Sequence, residues 1–147
     1  MKDILLVQNV VSGIVLLILS VEDILSKGLS GILLFIWIVF EGVTCVYIDS
    51  FHSFIWRLIP GSAVLLLGFL TKEKIGYGDG LVMLSIGEWL GMIPALTVFS
   101  IGIIGCGTVA VIIILFHKLN RKSIDLNINI PFVPFILFGW VVCGYAM

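Results

Sequence analysis

Six apolar blocks, separated by short polar punctuation, constrain this chain more than any other feature. They run at about 4–21, 28–48, 54–70, 80–93, 96–116 and 130–146, and a helix that spans a bilayer needs roughly 20 mainly apolar residues, with a range of about 17–25. A soluble core would scatter its apolar residues at helix or strand period instead. The balance of residue types agrees. Of 147 residues, 61% are hydrophobic and 12% charged, where soluble domains carry about 45–50% and about 25%. The sequence therefore predicts an all-α polytopic membrane protein with six transmembrane helices, forming one membrane-embedded unit over residues 1–147. The fourth block is short and glycine-rich and ends at Gly91 and Pro94. With the fifth block it also reads as a hairpin that dips incompletely.

The first block follows Lys2 and resembles a signal peptide, but no small-residue cleavage site follows it, so it is read as a retained span. Lysines and arginines orient the chain. The first, third and fifth connections hold six of them, Lys27, Lys72, Lys74, Lys118, Arg121 and Lys122, against Lys2 and Arg57 on the other side. This places the three connections in the cytoplasm and both termini outside it. A net charge of −1 offers no basic field for nucleic acid. Cys45, Cys106 and Cys143 all lie in apolar runs and form no CxxC or Cys/His cluster, so no metal site is expected. Neither a GxSxG elbow nor an HExxH is present, and His52 and His117 fall at opposite faces. Gly102, Gly105 and Gly107 allow close helix contact within or between chains, which leaves the oligomeric state open.

Nine acidic residues are few enough to weigh singly. Asp3, Asp49, Glu73 and Asp125 fall where water is expected. Glu41 and Glu88 lie within spans, where ionisable groups cost about 2.5–3.5 kcal/mol on insertion scales and mark function by default. Glu41 is placed near enough to the outer end of its span to reach an interface. Burial in a pair, or as a hydrogen-bonded neutral acid, accounts for either as well. Glu22 and Asp23 end the first span and Asp79 opens the fourth, so Asp23 and Asp79 share one membrane face.

Two carboxylates around one water can divide the labour of amide hydrolysis. The ionised one takes a proton from water and the protonated one donates to the carbonyl oxygen. Asp79 stands within "KIGYGDG", behind Gly76 and Gly78 and before Gly80. Glycines permit positive φ and close backbone approach, which would let an extended substrate reach the carboxylate. An aspartate at a helix start is also a common N-cap, so position alone leaves both roles open for Asp79.

Three blocks together carry a family resemblance: "DILSKGLSG" from Asp23 to Gly31, "GYGDGLVMLSIGEWLG" from Gly76 to Gly91, and "IPFVPFILFG" from Ile130 to Gly139. In order and spacing the chain resembles the type IV prepilin peptidases, membrane aspartic proteases of the GxGD class. The resemblance implies Asp23 and Asp79 as the catalytic pair, Gly76 and Gly78 as motif glycines, and Pro131 and Pro134 as features of the last span. Two positions depart from the family pattern. Ser30 and Gly31 replace a Pro-Asn, and Leu81 stands where a lysine is frequent. The N-terminal methyltransferase region with paired CxxC motifs has no counterpart, so the likeness is to the short, peptidase-only form, and N-methylation is not expected.

By that resemblance the chain is an aspartic endopeptidase of the cytoplasmic (inner) membrane. It would cut the short basic leader from a prepilin or pilin-like protein near the cytoplasmic face, with water as nucleophile and no cofactor. Glu88 is a candidate for tuning the site. Lys72 and Lys74 have a topological role or lie near an acidic residue of the substrate stem. Two alternatives remain: a GxGD protease acting on other membrane leader peptides, and a non-enzymatic transporter or assembly subunit with a polar path through Asp79 and Glu88.

Overall fold

The computed structural model describes residues 2–26, 28–71, 76–119 and 130–144. Lys27, Lys72, Lys74, Arg121 and Lys122, on which the orientation count largely rests, lie outside the described residues, as do Glu73 and Asp125. Six helices follow one another: α1 (Lys2–Ser26), α2 (Gly31–Ile48), α3 (Phe51–Leu70), α4 (Tyr77–Leu90), α5 (Met92–Leu119) and α6 (Val133–Gly144). No strand occurs among the described residues. Each helix coincides with one apolar block, but several boundaries move. Helix α1 continues a turn beyond the first block, so Asp23 is helical. Helix α4 begins at Tyr77, which draws Asp79 inside its first turn.

Four helices, α1, α2, α3 and α5, are long and apolar enough to cross a membrane. Their outward faces carry exposed apolar side chains such as Leu6, Phe35, Phe69 and Ile104, which suits a hydrocarbon solvent rather than water. The 14-residue α4 differs. At 1.5 Å per residue it is only about 21 Å long, and it is enclosed by its neighbours. Val82, Met83 and Ile86 are wholly buried, as are Leu16 and Leu19 of α1, Val98 of α5 and Ile136 of α6. A helix apolar on all sides belongs in the middle of a bundle.

Glycines set how close α4 comes to α3. A Cβ at Gly61 of α3 would collide with the Leu84 backbone, and a Cβ at Gly87 of α4 with the Arg57 carbonyl. At each of these contacts the backbones can approach this closely because one of the two residues carries no side chain. Helices α5 and α6 meet similarly, where a Cβ at Gly139 would lie 2.7 Å from the Val98 carbonyl oxygen. Gly102 and Gly105 face α6 across this contact, whereas Gly107 meets nothing within 4 Å. Helix α6 packs antiparallel to α1, with Trp140 against Gly13 and Val133 beside Asp23. The first and last described residues therefore lie at the end of the bundle away from Asp23. All three cysteines are free thiols, Cys45 and Cys143 buried and Cys106 partly so.

One residue joins α4 to α5. Gly91 closes α4 with its N–H on the Gly87 carbonyl, at φ 91° and ψ 168°, a region that is essentially glycine's alone. Pro94, read from sequence as a stop signal, falls in the first turn of α5, where its missing N–H costs nothing. Gly91→Ala should cost of order 1–3 kcal/mol, seen as a lower thermal unfolding midpoint in detergent. Gly107→Ala should leave the midpoint unchanged or raise it.

Candidate active site

The site is built from the helix ends that meet at one end of the bundle. Asp23 lies in the last turn of α1, half-buried. Its Oδ2 accepts a 3.0 Å hydrogen bond from the backbone N–H of Val133, the first residue of α6. The opening N–H groups of a helix have no partner within it and carry its positive dipole end. One carboxylate oxygen is thus tied to α6, which fixes Asp23 across 110 residues of chain.

Glu22, next to it, holds the turn into α2. Its Oε2 accepts from the Ser30 backbone N–H at 3.0 Å, and the Ser26 hydroxyl donates to the carbonyls of Glu22 and Gly28, both at 2.8 Å. A proline could not take the place of Ser30 in this turn. A proline at position 30 has no N–H, and here that N–H is the one bound by Glu22.

Asp79 occupies the third position of α4, not its cap. The cap is Gly76, in extended conformation with φ −63° and ψ 134°, and the Asp79 N–H bonds the Gly76 carbonyl at 3.2 Å. The capping alternative for Asp79 is therefore set aside. Asp79 is half-buried, and Asp23 is the charged group that acts on it electrostatically.

The three motif glycines serve packing rather than positive φ. Among the described glycines only Gly91 has that conformation. A Cβ at Gly76 would lie 3.3 Å from Asp79 Oδ2, one at Gly78 would lie 2.8 Å from Leu29 Cδ1, and one at Gly80 would lie 2.7 Å from Leu65 Cδ2. Gly76 clears the carboxylate, Gly78 seats the α1–α2 turn, and Gly80 seats α3. Leu81 packs partly buried against the hydrophobic core. Pro131 precedes α6 and Pro134 sits in its first turn, which leaves the Val133 N–H at the helix start for Asp23.

Glu88 is not brought to this pair. Nine residues make two and a half helical turns, so it points to the opposite side of α4 from Asp79, about 13 Å along the axis. It lies with Glu41 instead. Glu41 does not reach an interface. It is fully buried and accepts from Gln8 Nε2 at 2.6 Å, Trp37 Nε1 at 2.9 Å and the Ser12 hydroxyl. Asp49 is exposed, as its loop position predicts, and pairs with Arg57. Arg57 also caps α4, donating to the Glu88 carbonyl at 3.0 Å. His52 opens α3 and His117 closes α5, at opposite ends of the bundle.

Sequence reasoning missed Gln8, Ser12 and Glu22. Gln8 and Ser12 are polar residues four apart on an apolar helix, a spacing that marks one face. Among the described residues no group of three or more His, Cys, Asp or Glu side chains is placed to hold a metal. No family model, curated protein or solved structure matches the chain.

The Asp23–Val133 bond separates two kinds of substitution. Asn keeps an acceptor, whereas Ala leaves the N–H of buried Val133 unpaired, a loss of about 1–3 kcal/mol. Asp23→Ala should therefore unfold at lower temperature than Asp23→Asn, compared by thermal melts in the same detergent.

Proposed function

We propose that this chain is a six-span aspartic endopeptidase that removes the leader from a prepilin-like membrane protein, with Asp23 and Asp79 as its catalytic pair. The observation that carries this reading is the convergence of the two aspartates. They stand 56 residues apart in sequence, on different helices, yet share one end of the bundle, where Gly78 of α4 packs on Leu29 of the α1–α2 turn and Asp23 binds the start of α6. Both are half-buried, so water can reach them while neighbouring helices exclude bulk solvent.

In the proposed reaction one aspartate is ionised and accepts a proton from the attacking water. The other is protonated and donates to the oxygen of the scissile carbonyl. The hydrogen bond from Val133 would orient Asp23, and the space at Gly76 leaves room beside Asp79. The substrate's apolar stem would lie in the bilayer against the bundle. A shallow apolar groove of about 440 Å³ runs along α1 from Leu17 to Ser26 and includes Glu22, the neighbour of Asp23.

Placing this end at the cytoplasmic face of the inner membrane follows the lysine and arginine count and puts both termini outside. The transporter reading is weaker, because Asp79 and Glu88 lie on opposite sides of α4 and belong to separate polar clusters. Proteases acting on other membrane leaders share the same chemistry and differ only in substrate.

The test is cleavage of pilin-like candidates by detergent-solubilised protein, followed by mass spectrometry of the product N-terminus. Asp23→Asn and Asp79→Asn should each lower the rate by at least about 100-fold, with the protein still inserted. Full activity in either variant would sink the assignment of the pair.

A further inference from the structure

A sizeable groove lies away from the aspartate pair. It has a volume of about 830 Å³, faces outward along the second half of α2, and is lined by Ile38, Val39, Val43, Val46, Phe54 and Glu88 among others. Its walls are mostly apolar, with Tyr47 and that carboxyl as the exceptions. Gly42 leaves the window through which Glu88 borders it: a Cβ there would lie 3.6 Å from Glu88 Oε1 and 3.3 Å from the Phe54 ring. Glu88 is 1% exposed, and its Oε2 has no hydrogen-bond partner.

A buried carboxyl oxygen without a partner is costly, and more so at membrane depth. The protein's own groups do not relieve it. Glu41 takes the donors of Gln8, Ser12 and Trp37. Arg57 is spent on Asp49 and on the carbonyls of Glu88 and Trp89. Arg57 thus pairs with Asp49 and reaches Glu88 only at its backbone carbonyl. A cationic, hydrogen-bond-donating group arriving through the groove would satisfy that oxygen.

Depth narrows what can bring it. Gly42 lies six residues before the end of α2, which is about 9 Å. The Arg57 carbonyl beside Gly87 lies equally far inside the start of α3. Lipid head groups stay at the interface, above this level, and an acyl chain would fill the groove but leave Oε2 unpaired. Among its described residues, a second copy offers no such cation. Lys2 begins α1 and Lys118 is in the last turn of α5, so Arg57 is the only lysine or arginine away from an end of the described helices, and it is engaged.

We propose that this groove docks a transmembrane helix of a partner protein that carries a lysine about 9 Å inside its end, the ammonium closing on the Glu88 carboxylate. The stem of lysine is apolar and suits the groove walls, and only its tip is polar. This docking site is separate from the aspartate pair and does not depend on the proteolytic reading.

The test uses two dansyl-labelled synthetic host helices of leucine and alanine, about 20 residues long, in phosphatidylcholine vesicles with the full chain. One carries lysine about six residues from its end and the other leucine there. Energy transfer from the protein's tryptophans reports binding. The lysine helix should bind about tenfold tighter. That preference should vanish in Glu88→Gln, vanish in Gly42→Ile, which closes the window with Glu88 intact, and persist in Asp79→Asn. Equal binding of both helices would overturn the proposal, since the groove would then be filled by apolar contact alone. A preference that survives in Glu88→Gln, or self-association of the chain that Glu88→Gln abolishes, would overturn it as well.

Discussion

The close seating of α4 against α3 is the constraint on which the rest of this structure depends. Lipid offers a helix no hydrophobic drive to associate, so packing must come from backbone proximity and from polar contacts. Gly61 and Gly87 supply the first, and Arg57, reaching from α3 to the final carbonyls of α4, supplies the second. Once α4 is drawn in, the longer helices surround it. A helix of 14 residues is then held in the centre of the bundle, shielded from lipid along most of its length.

That central position divides the polar chemistry in two. Asp79 at the start of α4 meets the end of α1 and, through Asp23, the start of α6. Glu88 near its close meets α2 and α3. Residues nine apart on a helix face opposite ways, so the two clusters are insulated by the core residues between them, Val82, Met83 and Ile86. The end with the aspartates is half-open, whereas the Glu41–Glu88 cluster is sealed from water and borders only an apolar groove. Groups that meet water can exchange protons with it. Groups that do not must find partners in protein, and Glu41 has done so while one oxygen of Glu88 has not.

The motif glycines show why a motif and its mechanism have to be read separately. Three glycines around an aspartate look like a flexible loop. In the folded chain Gly78 and Gly80 are helical and Gly76 has an ordinary extended φ. What matters is the absent Cβ, because Leu29, Leu65 and the Asp79 carboxylate fill the space. A residue type that serves flexibility in isolation serves contact in a packed bundle, since packing removes the freedom that glycine would otherwise use.

The sequence alone determined the helical class, the six apolar segments and the isolation of a few acids within them, because spanning structures must pair every backbone group, and long continuous apolar runs do this as helices rather than as barrel strands of alternating character. It also brought Asp23 and Asp79 to one face, since the parity of crossings depends only on counting segments. What it left open required contacts between residues distant in the chain. That Asp23 is held by the N–H of Val133, that Glu22 spends itself on Ser30, that Glu41 is buried beneath Gln8, Ser12 and Trp37, and that Asp79 and Glu88 serve different sides of one helix all depend on helix rotation and neighbour choice. Apolar periodicity is nearly uninformative there, because in a membrane both the lipid face and the core face are apolar. Only the tertiary structure, through close glycine contacts and paired polar groups, decides which face turns inward.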